Sequence, residues 1–578
     1  MSQSIEKSGL TLRAVLIAVF LSLFLLMSTS YIALKMGAAP WPIIFSVIVS
    51  GAIIKLLNRG KHVNIHEVNV AQAGGSIGGL IAAGMAFTLP GILYLNISKG
   101  MNLEMPEPWL LSILIATAGV LGILLSVPLK YTFIDEENLP FPAGTAGAEL
   151  LKLGDTGGRR MYILVIIGSL VAIFTLARDI YFPSGFVLFS LASLGISMVL
   201  IPLPIALGAG YILGPRPGLS WLAGAVIGWY LIIPLLHLGG GDAAHSGVYM
   251  KNLGMGMVLG AGVSFFILYI LPRIKKIFMP FFKTNRRLKY AVPLTLFAGM
   301  VSLYLNALPL PAILLTLIGV WAMVAVAARM TGETNIDPLE QLGIFVTIMI
   351  AAVYTAFSLP LPVHMLFVIV VFVSVACAVA GDAGHDYKSA ALIGTKFSDI
   401  VKVDIITVIV TGLAAPFVFE LIRQAFANTL FTEAMPAPQA QLVAGSIIGF
   451  EHPEIFVLGF AVAFLGEMIN HFLTGRLKNM LMWMPFGIGL FLGPGLALPL
   501  AIGAIVNIWI QRKKPELYHS GILLAAGIMG AEGIAGFSAG AFTVSGLNLY
   551  NSSLMLAVLF LLVGVASTVL LIRKRNLT

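Results

Sequence analysis

Apolar segments of the length a helix needs to cross a hydrocarbon layer, roughly 20 residues, follow one another along this chain with short polar joints between them. They predict spans near 12–34, 40–57, 70–95, 109–129, 160–177, 184–201, 218–236 and 252–272. A second series follows at 290–306, 309–328, 339–358, 363–380, 400–422 and 453–471, then a bent region at 480–510 and spans at 519–545 and 551–572. The expected fold is an all-α polytopic membrane protein with about 16 transmembrane helices, within about 14 to 18. The first span is read as a retained helix, because its apolar run is too long for a signal-peptide core.

The apolar pattern also repeats. LGAGYILGPRPGLSWLAGAVIGWYLI at 207–232 is nearly restated by FGIGLFLGPGLALPLAIGAIVNIWI at 486–510, and both carry a Gly-Pro break inside a hydrophobic segment. An internal repeat of half the chain with interrupted helices is the pattern of a secondary transporter. It divides the chain into a first transmembrane repeat at 1–272, a basic linker at 273–289 and a second repeat at 290–578. Glu67-Val68-Asn69 then corresponds to Glu333-Thr334-Asn335, and GAGV at 260–263 to GAEG at 530–533.

Composition agrees with this class. Hydrophobic residues make up 59% and charged residues 10% of the 578, whereas soluble domains carry about 25% charge. The formal net charge of +9 would suit a nucleic-acid partner in a soluble protein, but here its distribution matters more. The 273–289 linker holds seven Lys or Arg and no acid, while 96–109 has one Lys against two Glu. The positive-inside rule places the linker, Lys55 to Lys61, Arg159 with Arg160, and Arg573 to Arg575 in the cytoplasm. Both termini then lie inside a multi-pass plasma-membrane protein, and the two repeats run parallel. The Phe residues of the linker can also rest on anionic lipid. Cys377 is the only cysteine, so a disulfide or Cys-based metal cluster within the chain is excluded.

Nucleotide and hydrolase chemistry find no support. The nearest approach to a phosphate-cradling GxxxxGK[ST] loop, GDAGHDYKS at 381–389, has Asp386 where the second Gly must sit. HEVNV at 66–70 ends in Val where a zinc protease needs His. No cofactor is expected beyond a proton as coupling ion, and no catalytic or metal-binding residue. The chain is expected not to be an enzyme; a membrane-embedded enzyme is the remote alternative.

Gly and Pro inside a span free backbone polar groups, and such breaks persist only where protein or an aqueous cavity satisfies them. Substrate candidates lie in EVNVAQAGGSIGGLIAAGMAFTLPG at 67–91: Glu67, Asn69, Gln72 and Ser76 with Gly74 and Gly75. Close helix packing is the other reading of those glycines. Arg216 in LGPRPG could hold a substrate carboxylate in a fork of two hydrogen bonds, or a lipid phosphate. Intramembrane carboxylates are costly and by default functional. Glu532 in GAEGIAG ranks first as a proton carrier and Glu467 in FLGEMIN, with Asn470 one turn later, ranks second; a buried hydrogen bond that fixes packing is the alternative for each. Asp382, His385, Asp386 and Lys388 form the densest polar cluster, read either as a proton relay through His385 and Asp382 or as a solvated loop. Glu149 and Lys152 are spaced for an i,i+3 pair. Arg178 and Asp179 sit at a span end, where snorkelling and pairing explain them.

Five motifs in order resemble the oligopeptide transporter family, which includes the yellow stripe-like metal-chelate transporters: the 67–91 segment, LPFPAGTAGAELLKLG at 139–154, GAGYILGPRPGLSWLAGAVIGW at 208–229, LFLGPGLALPLAIGAIV at 490–506 and GILLAAGIMGAEGIAGFSAGAF at 521–542. The resemblance implies two related halves that move short peptides or metal chelates into the cytosol with protons, and it favours a site role for Glu149. The Asn-Pro-Gly and Lys-Ile-Pro-Pro-Arg motifs of the peptide-carrying eukaryotic branch are absent, so the chain looks like the prokaryotic or yellow stripe-like side. The expected function is proton-coupled import of peptides or metal chelates by alternating access, with a chelate symporter lacking peptide activity as the alternative. The partners are the small substrate and the lipid bilayer, not nucleic acid; the Gly-rich faces suit packing within a monomer or in a homo-oligomer.

Overall fold

A computed structural model describes residues 6–37, 39, 42–58, 63–152, 159–181, 186–191, 196–238, 246–273, 275, 288–432, 434–474 and 480–544. Most of the basic linker, the span expected at 551–572 and Arg573 to Arg575 lie outside them, as does the Asp179 side chain.

The elements follow in four blocks. The first holds α1 (Leu12–Met36), α2 (Ile43–Leu57), α3 (Ile65–Ala86), α4 (Pro90–Lys99), α5 (Pro108–Lys130) and α6 (Pro142–Lys152). The second holds α7 (Arg159–Tyr181), strands β1 (Phe186–Leu191) and β2 (Ile196–Leu200), α8 (Pro204–Leu213), α9 (Pro215–Ile227), α10 (Ile233–Leu238) and α11 (Ser246–Phe265). The third holds α12 (Leu288–Leu305), α13 (Leu310–Thr334), α14 (Leu339–Ala356), α15 (Val363–Ile393), α16 (Phe397–Ala425) and α17 (Pro438–Ile448). The fourth holds α18 (Pro453–Phe472), α19 (Trp483–Leu492), α20 (Pro494–Lys513) and α21 (Tyr518–Val544).

Among the described residues, 12 helical stretches are long and apolar enough to cross a membrane. The chain is an all-α polytopic membrane protein with one small exception. Within the span expected at 184–201, the described residues are instead two strands, β1 paired antiparallel with β2. Its sequence explains the difference: FVLFSL and ISMVL are rich in β-branched and aromatic residues, and each is too short for a helical span.

Two compact units result, and each draws on both halves of the sequence. Unit 1 comprises 1–163, 274–427 and 439–447; unit 2 comprises 164–273, 428–438 and 448–578. The units therefore cut across the 1–272 and 290–578 halves.

In unit 1, α3 and α15 form the centre. Every residue from His66 to Ala86 and from Leu366 to Ala390 is buried. α3 packs on α1, α15 and α16, while α5 packs on α15 and α16. Helices buried on all sides are apolar on all sides, so the polar residues they do carry must be satisfied inside the protein. Ends are capped locally: Thr11 Oγ1 accepts from Ala14 N at the start of α1, and Gly394, at φ 79°, closes α15. GDAGHDYK is not a solvated loop but lies within α15. Its glycines are there for packing: a Cβ on Gly381 would collide with the Asp337 carboxylate, and one on Gly384 with the Phe141 ring.

Unit 2 is organised by the repeated broken helices. α8 and α9 break at Gly214, and α19 and α20 break at Gly493, with φ values of 83° and 72° that favour glycine. Proline follows each glycine as the first residue of the next helix. α8 packs on α20 and α9 on α19. The contacts are reciprocal. A Cβ on Gly210 would strike the Leu500 carbonyl, and one on its counterpart Gly489 would strike that of Trp221; Gly224 meets the Phe486 carbonyl as Gly503 meets that of Leu207. Each corresponding pair, 210 with 489, 221 with 500, 224 with 503 and 207 with 486, is separated by 279 positions. Contacts that interchange when the repeats are exchanged define a local two-fold relation. The equivalent carbonyls of Tyr211 and Leu490 are satisfied in the same way, by Asn507 Nδ2 at 2.7 Å and Trp229 Nε1 at 2.9 Å.

Candidate functional site

The polar residues of α3 and α15 meet along one seam in unit 1. Asn69, Gln72 and Ser76 share a face of α3 by i,i+3 and i,i+4 spacing, and Asp382, Asp386 and Ser389 share a face of α15. Ser76 Oγ donates to Asp382 at 2.6 Å, Gln72 Nε2 to Asp386 at 3.0 Å and Ser389 Oγ to Asn69 Oδ1 at 2.5 Å. The pairing order runs in opposite directions on the two helices, so they lie antiparallel along the seam. Below it, Asn69 Nδ2 reaches Thr395 Oγ1 at 3.0 Å, which also meets His66 Nδ1 at 3.1 Å. α16 supplies the third wall: Val403 and Thr407 press on Gly74, leaving no room for a side chain there, and Asp404 lies between them in sequence.

The seam is short of donors. Asp382, Asp386, Asp404, Gln72 and Ser76 are each 0% exposed. Among the described residues, Asp382 Oδ1, Asp386 Oδ2, both Asp404 carboxylate oxygens and Gln72 Oε1 find no hydrogen-bond partner. Asp404 is within electrostatic reach of Asp382 and Asp386, and Asp382 in turn of Asp337, whose own carboxylate oxygens are buried and unpartnered. Glu340 at the start of α14 continues the series and accepts from Gln341 Nε2 at 2.8 Å. No Lys or Arg among the described residues pairs with Asp382, Asp386 or Asp404. No group of three or more His, Cys, Asp or Glu among them converges as a metal site.

Other predicted residues of unit 1 have different surroundings. Glu67 is gripped by Arg13, Nε to Oε1 at 2.9 Å and Nη2 to Oε2 at 2.5 Å, and accepts from Thr11 at 2.6 Å. That two-pronged pair clamps α1 to α3. Gly74 and Gly75 pack against Val403, Ala18 and Leu21, which matches the close-packing reading. His385 Nδ1 accepts from Gly144 N at 3.2 Å, and its ring stands edge-on to Phe141 at 5.6 Å. Lys388 donates to Asn138 at 2.6 Å. Glu149 is exposed and makes no ion pair with Lys152.

Unit 2 holds the remaining candidates. Glu532 is 0% exposed, takes Arg178 Nη1 at 2.5 Å on one oxygen and the Ile205 backbone N–H at 2.6 Å on the other. It thereby satisfies an orphan amide at the start of α8. Arg178 is thus a buried partner and not a snorkelling residue, with 3% of its surface exposed. Glu467 accepts from Asn470 at 2.8 Å on the same helix. Arg216 is exposed at the start of α9. The structure therefore gathers Asn69, Gln72, Ser76 and Asp382 into one seam of unit 1 and leaves Glu149 exposed, while Arg216, Glu467 and Glu532 belong to unit 2.

Sequence reasoning passed over Asp404. A signal existed, since it is an acid inside the span expected at 400–422.

A family model described as OPT oligopeptide transporter protein matches residues 9–262 and 286–543. The chain is also similar to a protein of Haemophilus influenzae described as "Putative oligopeptide transporter", at 24% identity over 597 residues, covering 88% of this chain and 91% of that one. The two matched segments fall on the two sequence repeats, whose broken helices interlock in unit 2. The chain belongs to the OPT oligopeptide transporter family.

Proposed function

We propose that this protein imports short peptides across the plasma membrane together with protons, by alternating access, with both termini in the cytoplasm. The observation that carries transport is the interlocked pair of Gly-Pro-broken helices in unit 2. Breaks of this kind persist in a bilayer only where protein or a cavity satisfies the freed backbone, and related repeats are the usual frame for rearrangement around a site. The buried carboxylates of unit 1 that lack a counter-cation support proton coupling. The Haemophilus influenzae relative, described as a "Putative oligopeptide transporter", favours peptide as substrate. Clustering of Lys and Arg in the 273–289 linker supports the orientation.

The test is current across proteoliposomes holding the purified protein, under an inward proton gradient, on addition of pooled tri- to pentapeptides and then of ferric or nickel chelates. Peptide-dependent inward current is expected. Current with chelates alone would replace the substrate class, and silence with both would overturn coupled transport.

A further inference from the structure

Burial of three acids in one unit, with no Lys or Arg among the described residues paired to them, needs its own account. Asp382, Asp386 and Asp404 present six carboxylate oxygens, and among the described residues only Ser76 and Gln72 are found donating to them. Gln72 is the informative neighbour. Its amide N–H is spent on Asp386, and its carbonyl oxygen, in a residue with no exposed surface, has no donor. An acceptor left bare among bare acceptors costs free energy unless something at the site supplies a donor. A carboxyl that binds a proton does so: the O–H formed on one oxygen donates to a neighbouring carboxylate or to Gln72 Oε1.

The surroundings agree. On α3 the neighbours are Asn69, Gln72 and Ser76, with His66 and Glu67 toward its start; on α14 they are Glu340 and, just before it, Asp337. On α15 itself they are Cys377, His385, Tyr387 and Lys388, and on α16 Asp399 and Lys402. Tyr387 contacts Ser126 on α5 at 3.1 Å, Asp399 accepts from Ser8 at 2.6 Å, and Lys388 is engaged by Asn138. Arg13 is held by Glu67, Arg329 by Glu137 and Glu333, and Lys130 by Asp135. Lys402 is exposed, and among the described residues no Lys or Arg pairs with the three acids.

We propose that Asp382, Asp386 and Asp404, with Gln72 and Ser76, form the proton-binding site of unit 1, and that Asp404, the one of the three with no hydrogen-bond partner on either oxygen among the described residues, is the group that loads and releases the coupled proton. Glu532, already paired with Arg178, is not that group. The proposal rests on the proton-coupled reading and sharpens it to one site.

The experiment compares the wild type with Asp404→Asn, Asp386→Asn and Glu467→Gln in proteoliposomes, by peptide accumulation under a pH gradient and by peptide counterflow without one. Asp404→Asn is expected to keep counterflow and to lose about tenfold accumulation per unit of pH gradient; Glu467→Gln is expected to keep both. Accumulation by Asp404→Asn equal to wild type would overturn the assignment. A wild type that moves peptide without protons would sink the coupling reading instead. An independent readout covers a variant that fails to transport at all: infrared difference spectra of wild type against Asp404→Asn in detergent. Loss of a protonated-carboxyl carbonyl band in the variant supports the site, and identical spectra refute it.

Discussion

The two units bury their acids in opposite ways. In unit 2, Glu532 is enclosed with Arg178 and with the backbone N–H of Ile205, so its charge and both of its oxygens are accounted for. In unit 1, Asp382, Asp386 and Asp404 are as deeply enclosed but share two uncharged donors. Depth alone therefore does not identify a proton carrier. What separates the two is whether a fixed positive charge is buried alongside. A carboxylate locked to a guanidinium holds helices together, whereas one without a partner becomes neutral only by binding a proton.

The comparison breaks first at the ion pair. Glu532→Gln is expected to destabilise the protein by about 3–5 kcal/mol, because it removes the carboxylate charge that the buried Arg178 guanidinium bonds. Adding Arg178→Met should restore a large part of that loss in thermal or denaturant unfolding in detergent; strict additivity of the two changes would mean the pair is not coupled. A smaller effect is expected at the broken helices. Gly210→Val and Gly489→Val, equivalent positions of the local two-fold, should each lower stability by about 1–3 kcal/mol through overpacking against a carbonyl. Clearly unequal losses would show that the two crossings are not equivalent in energy. Smallest of all, Asp404→Asn should change stability by less than about 1 kcal/mol, or raise it, since the amide adds donors to a seam that lacks them. A loss as large as that of Glu532→Gln would make Asp404 a structural group.

Much of this fold was legible in advance. The bent region expected at 480–510 is the α19–Gly493–α20 break, and the polar run of α3 does line a buried seam. The misreadings have physical causes. GDAGHDYK reads as a loop because two glycines and the four residues Asp382, His385, Asp386 and Lys388 are atypical of a membrane helix; its placement in α15 depends on Asp337 and Phe141 filling the space that the glycines leave. The 184–201 segment is apolar enough for a span, and hydropathy does not distinguish a hairpin from a helix. Glu149 and Arg216 stand in conspicuous motifs yet are exposed.

Membrane class, the repeat and the points where helices break were determined by the sequence itself, because the thickness of hydrocarbon and the need to satisfy every backbone group act on segments of a few tens of residues. Which acid is paired and which is bare was decided only by the tertiary structure. Arg178 and Glu532 are 354 positions apart, and Gln72 and Asp386 are 314 apart. The electrostatic fate of a buried carboxylate depends on the groups within a few ångströms of it, and in this chain those groups come from helices hundreds of residues away.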